Sequence, residues 1–209
     1  MLRRIKRLSY ISLMAGLVAC SDSSGPGTSR VSVLLTDAPG DVLEAVVTID
    51  QIYLQGGEGE GEEGGRVNLL DAPVTVDLLT LADEWMTLVE GVEIPDGQYG
   101  QLRFVISGAY LRVEEAEGNR IFATSADYAG LPEGEEAGGT LVTPSFSQSG
   151  LKVSFTGGLA IDAETTFLVD FDVAESFGKE VGQGDKWVMH PVLKGSVVEP
   201  EAAGAARGR

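Results

Sequence analysis

The chain of 209 residues has one cysteine, Cys20, and one histidine, His190. A disulfide framework is excluded because a bridge needs two thiols. A zinc site built from Cys and His lacks its ligands. Cations are scarce as well, 15 Lys and Arg against 32 Asp and Glu, for a net charge of −17. A field of that sign repels phosphate backbones and anionic headgroups, which argues against nucleic-acid binding and against a polybasic membrane patch. No Gly-x-Ser-x-Gly elbow is present to recruit His190 into a serine hydrolase triad. No Walker string is present either, and the glutamates set among the glycines of the acidic loop would repel phosphate. The expectation is a protein that is not an enzyme and carries no cofactor.

At the N-terminus, "MLRRIKRLSYISLMAGLVAC" places Arg3, Arg4, Lys6 and Arg7 before an apolar stretch, residues 8–19, too short to span a bilayer. This is an export leader. Its end, Leu17-Val18-Ala19-Cys20, resembles the bacterial lipobox, which implies lipidation at Cys20 and attachment to the membrane through the N-terminal lipid. Acyl chains contribute about 0.8 kcal/mol per buried CH₂, so two or three of them anchor durably. Ser21 follows the cysteine and Asp22 comes next, an order that by the same resemblance points to the outer membrane. The expected location is therefore the cell envelope. With the four leader cations removed, and no acidic residue among the first 20, the rest of the chain carries −21.

Residues 21–30, "SDSSGPGTSR", have the composition of a flexible tether. A folded domain over residues 31–198 follows, and the tail 199–209 loses all periodicity and reads as disordered. Val31, Val33 and Leu35 share one face of a first strand. After the turn residues "DAPGD" a second strand places Ala45, Val47, Ile49 and Tyr53 on one side and Asp50 on the other. "GGEGEGEEGG", residues 56–65, contains only glycine and glutamate and reads as a loop between strands whose shortening leaves stability almost unchanged. "TLADEWMTLVEG", residues 80–91, predicts a short helix: Leu81, Trp85, Leu88 and Val89 fall at helical spacing, Thr80 with Asp83 makes a capping start, and Gly91 marks a stop. The turn "PDG" at 95–97 then reopens a series of short strands. Mainly β, with one short helix, the chain predicts an antiparallel β-sandwich.

Four strings occur together and in order: "VSVLLTDAPGDVLEAVVTIDQIYL", "IPDGQYGQLRFVI", "SGLKVSF", and "FLVDFDVAESF" leading into "VMHPVL". As a set they resemble the bacterial lipoprotein family known as domain of unknown function 4382. The resemblance implies a lipid-anchored β-sandwich of the transthyretin-like or immunoglobulin-like kind, and it carries no catalytic residues. The glycine–glutamate loop departs from the family pattern and reads as an insertion.

The conspicuous polar feature is "LVDFDVAESF", residues 168–177, an apolar strand carrying Asp170 and Asp172 on one face. Phe167, Val169, Phe171 and Val173 take the core side. Neighbours on one strand point the same way, whereas catalytic carboxylates flank a bond from facing sides. A calcium site needs further oxygens, and the candidates are Asp37, Asp41 and Asp50. The structural alternative has the aspartates accept backbone N–H groups where the strand ends, so that Asp170→Asn or Asp172→Asn lowers stability by about 1–2 kcal/mol. Trp85 and Trp187 read as core, while Tyr110 and Tyr128 are the candidates for exposed stacking on a sugar. The function expected is binding of a glycan, protein or matrix component. The alternative is an acidic structural or calcium-binding coat protein.

Overall fold

The computed structural model describes residues 27–38, 42–56, 65–82, 84–116, 118–143, 150–177 and 185–198. The leader with Cys20, Asp41, the glycine–glutamate residues 57–64 and the tail 199–209 lie outside the described residues. In chain order the strands are β1 (Thr28–Ala38), β2 (Glu44–Gly56), β3 (Arg66–Asn68), β4 (Val74–Asp77), β5 (Met86–Pro95) and β6 (Gly97–Glu115). There follow β7 (Gly118–Ala123), β8 (Gly139–Val142), β9 (Leu151–Ile161), β10 (Thr165–Asp172), β11 (Lys186–Val188) and β12 (Leu193–Val198), with one short helix, α1 (Val173–Ser176), between β10 and β11.

A four-stranded sheet runs β12-β10-β1-β5 and an eight-stranded sheet runs β11-β8-β7-β6-β2-β3, with β4 pairing β2 and β9 pairing β6. The two pack as a sandwich that does not close into a barrel. One continuous core takes Val31, Val33, Leu35, Phe167, Val169 and Phe171 from the small sheet and Ala45, Val47, Ile52, Leu102, Phe104 and Leu111 from the large one. Burying a large side chain of this kind contributes about 1.5–3 kcal/mol, and alternation places these residues on the inner faces.

The sheets are mixed rather than purely antiparallel. β1 pairs β10 in parallel from Val31↔Thr165 to Ala38↔Asp172, and β8 runs parallel to both β7 and β11. Alternation reports which face is buried and is blind to the direction of the neighbouring strand. The first strand also begins earlier than composition implies: Thr28, Ser29 and Arg30 pair with Pro95, Ile94 and Glu93 of β5.

The expected helix over 80–91 is replaced by a 3-10 turn, Leu78–Leu81, followed by β5. The cap is Asp77, whose carboxylate accepts from the Leu79 N–H at 3.2 Å. An apolar run this short fits either period, and the open edge of β1 decides for the strand by pairing with it. Gly91 is special for a different reason from helix termination. At φ 58° it sits in a register shift of β5 and donates its N–H to Ser32 Oγ at 3.0 Å, a conformation favouring glycine.

In β2 the register passes from Ile49↔Ile106 to Gln51↔Val105, which leaves Asp50 as the extra residue of a bulge. The inner face is Ala45, Val47 and Ile49 before it and Ile52 and Leu54 after it. Tyr53 therefore turns outward, beneath the Arg66 guanidinium 3.8 Å from its ring centre.

Candidate functional site

The polar groups at the end of β10 form a connected set of hydrogen bonds. Asp172 is 6 % exposed and forms the N-cap of α1: its carboxylate accepts from the Glu175 N–H at 2.9 Å. The second oxygen accepts from Lys194 Nζ at 2.6 Å. Across the parallel pair, Asp37 sits on the core side of β1 and accepts the Val173 N–H at 3.1 Å. Ser176, fully buried, accepts the Val192 N–H on its hydroxyl at 2.9 Å and the His190 N–H on its carbonyl at 2.6 Å. The Asp172 N–H in turn reaches the Val192 carbonyl at 3.1 Å. Together these bonds tie the strand end, the helix and the segment 190–192 into one joint.

The joint separates two aspartates that look alike in sequence. Lys194, and then the Glu175 N–H, hold the Asp172 carboxyl below the usual carboxylate range. Burial, and then the charge of Asp172, push Asp170 upward. Asp170 Oδ1 is buried without a hydrogen-bond partner among the described residues. The backbone-accepting role expected of both belongs to Asp172 and Asp37, and Asp170 has no share in it.

Of the other calcium candidates, Asp50 occupies the bulge of β2 in the opposite sheet and Asp41 lies outside the described residues. Among the described residues no group of three or more His, Cys, Asp or Glu is arranged to hold a metal ion. His190 is exposed. Of the two tyrosines expected to be exposed, Tyr110 is buried and Tyr128 is half-buried. Tyr110 is 5 % exposed and donates to Glu44 at 2.7 Å, and the Tyr128 hydroxyl lies 2.6 Å from Thr48 Oγ1. With Val46, Ile121, Ala123 and Leu131 they form a second apolar cluster. Trp187 packs on Phe122, ring centres 5.5 Å apart, and donates Nε1–H to the Phe177 carbonyl at 3.2 Å.

What sequence reading missed is a pocket of about 510 Å³ lined by Arg103, Gly150, Leu151, Lys152, Pro191 and Leu193. The large sheet supplies β6 and β9, and the other wall is the segment that enters β12. That wall is the far side of the aspartate joint, because Ser176 and the Asp172 N–H hold Val192 between Pro191 and Leu193. Arg103 and Lys152 stand directly opposite each other in the β6–β9 register. The available signal was a single cation in each of two apolar strings, "QLRFVIS" and "LKVSF", and nothing local says that those cations meet.

A family described as Domain of unknown function (DUF4382) matches residues 28–191. Among curated proteins and among solved structures, none matches the chain.

Proposed function

The chain belongs to the DUF4382 family of unknown function, and from that premise we propose that the protein is a lipid-anchored, non-enzymatic binding module of the cell envelope. The observation that carries the reading is the pocket between β9 and the entry to β12, where the open margins of the two sheets meet. Pockets that combine an apolar wall with a few placed polar groups are the usual form of a ligand site. The anchor is Cys20, at the end of its lipobox-like string, and the −17 net charge argues against nucleic acids as partners. Glycans, proteins and matrix components are the ligand classes compatible with that field.

Two experiments test the two halves. Cys20→Ser moves the full-length protein from the detergent phase to the aqueous phase on phase partition, and an unchanged partition removes the anchor. A glycan array and an envelope pull-down with residues 28–198 return a ligand that is lost when the pocket is altered at Leu193→Asp. Retention of the same ligand by that variant, with its melting temperature unchanged, removes the pocket.

The second reading, an acidic structural or calcium-binding coat protein, draws on the net charge. It requires calcium to raise the melting temperature through Asp37, Asp170 and Asp172. Asp37 and Asp172 are already engaged with backbone N–H groups.

A further inference from the structure

Trp85 reads in sequence as core because it falls on the stripe of a helix, and the structure replaces that helix with β5. Met86, the next residue, pairs with Leu35 and packs on the core. Trp85 itself is half-buried and packs on neither apolar cluster. The contrast is Trp187, which packs on the core, rests on Phe122 and donates its Nε1–H to the Phe177 carbonyl. Trp85 has neither a ring partner nor a hydrogen bond from its indole among the described residues. An indole left in this state offers an apolar face with a donor at its edge.

The surface beside it is the outer face of the small sheet. Val33, Leu35, Val169 and Phe171 take the core side, so Thr36 and Asp170 point outward. Thr36 donates its hydroxyl to the Glu84 carbonyl at 2.7 Å, which holds the residue before Trp85 against this face. The row continues across the sheet, Thr36 paired with Asp170 and Asp170 with Lys194. Asp170 is half-buried and accepts no hydrogen bond among the described residues, and its Oδ1 is buried. Lys194 reaches past it to Asp172 at 2.6 Å and Glu175 at 3.4 Å. An ammonium has three donors, so one remains. An acceptor without a donor is a stability cost for which the fold makes no internal bond.

These groups select among ligands. A polyanion meets Asp170, Asp172 and Glu175 as well as the −17 net charge. An apolar peptide would bury those carboxylates without partners. A sugar carries no charge, lays its C–H groups on an indole face, and has hydroxyls that both donate to a carboxylate and accept from an ammonium. Trp85 and Asp170 lie on either side of Thr36, about two strand spacings or about 10 Å apart. That span calls for a chain of sugars rather than a single ring.

We infer that this row is a platform for a neutral oligosaccharide, one ring resting on Trp85 and hydroxyls of the chain donating to Asp170 and accepting from Lys194. The inference shares with the proposed function the premise that the domain binds a ligand, and it does not use the pocket at Leu193.

The test titrates the full-length protein, in a zwitterionic detergent that carries no sugar, with cellohexaose, maltohexaose and chitohexaose, read by calorimetry and tryptophan emission. At least one of the three binds and shields the emission from acrylamide. Trp85→Phe keeps most of the affinity, and Trp85→Ala weakens it by about tenfold or more, as for loss of an aromatic anchor. Asp170→Asn weakens it by about fivefold, because a neutral acceptor replaces a charged one, while its melting temperature does not fall. Affinity unchanged in Trp85→Ala assigns the sugar to another surface and overturns the inference, with the binding-module reading intact. Binding of none of the three sugars overturns it as well, and leaves the protein and matrix ligands of that reading standing. Emission as open to acrylamide with sugar as without it overturns the stacking on Trp85 in the unaltered protein. Displacement of the sugar by an equal concentration of tetramethylammonium shows a cation site and overturns the assignment to a neutral ligand.

Discussion

Asp172→Ala isolates what the joint at the end of β10 contributes. The substitution removes the acceptor for the Glu175 N–H, 2.9 Å away, and the contact with Lys194 Nζ. Losing an N-cap acceptor to alanine costs about 0.5–2 kcal/mol. The covered position of Asp172, 6 % exposed, places it in the upper half of that range, because water cannot replace the carboxylate freely. The Lys194 side chain is 55 % exposed, so its pairing is screened and adds little. The expected loss is about 1–2 kcal/mol. With a urea m-value near about 2 kcal/mol per M, the unfolding midpoint falls by about 0.5–1 M. Asparagine caps about as well as aspartate, so Asp172→Asn stays within about 0.5 kcal/mol of the wild type. The contrast between the two variants is the decisive reading. If Asn costs as much as Ala, the charge rather than the cap carries the interaction, and the reasoning from the cap fails.

Asp170→Asn is expected to be more stable than the wild type at pH 7, since it removes a charge that burial and Asp172 disfavour; a lower urea midpoint would contradict this. The sign of its pH dependence follows from the raised folded-state value. The folded state takes up the Asp170 proton before the unfolded state does, so the advantage of Asn shrinks as pH falls and is gone near the ordinary aspartate value of about 3.9. Asp172 behaves in the opposite sense: its depressed value gives stability that is present above about pH 3.9 and is lost as pH falls through its folded value, so any deficit of Asp172→Asn closes only at the acid end. Parallel pH titrations of thermal unfolding for the two variants check both signs. Gly108→Ala would place a methyl 2.4 Å from the Tyr128 ring, and overpacking of this kind costs about 1–3 kcal/mol; a variant that melts with the wild type would show that Tyr128 does not rest on that strand.

The calcium alternative and the aspartate joint differ in where they place the same residues. Asp37 was legible only as a possible ligand in a turn-like string, yet it is the buried acceptor for Val173, 136 positions later. No local pattern encodes that contact. It exists because β1 and β10 lie parallel and in register, Asp37 beside Phe171.

The sequence by itself determined what depends on neighbours along the chain. The lipobox-like string at Cys20, the inner faces Val31-Val33-Leu35 and Phe167-Val169-Phe171, and the turn at Asp96 follow from side-chain chemistry repeated at fixed spacing. The tertiary structure decided whatever depends on a partner strand. The run after Thr80 became β5 because β1 offered an unpaired edge, the outward turn of Tyr53 came from a bulge at Asp50, and Asp170 parted from Asp172 through Lys194 and α1. Arg103 and Lys152, 49 positions apart, face each other only through the β6–β9 register. The physical reason is that alternation specifies one strand's two faces, while register and direction are set by closure of a shared core between distant segments.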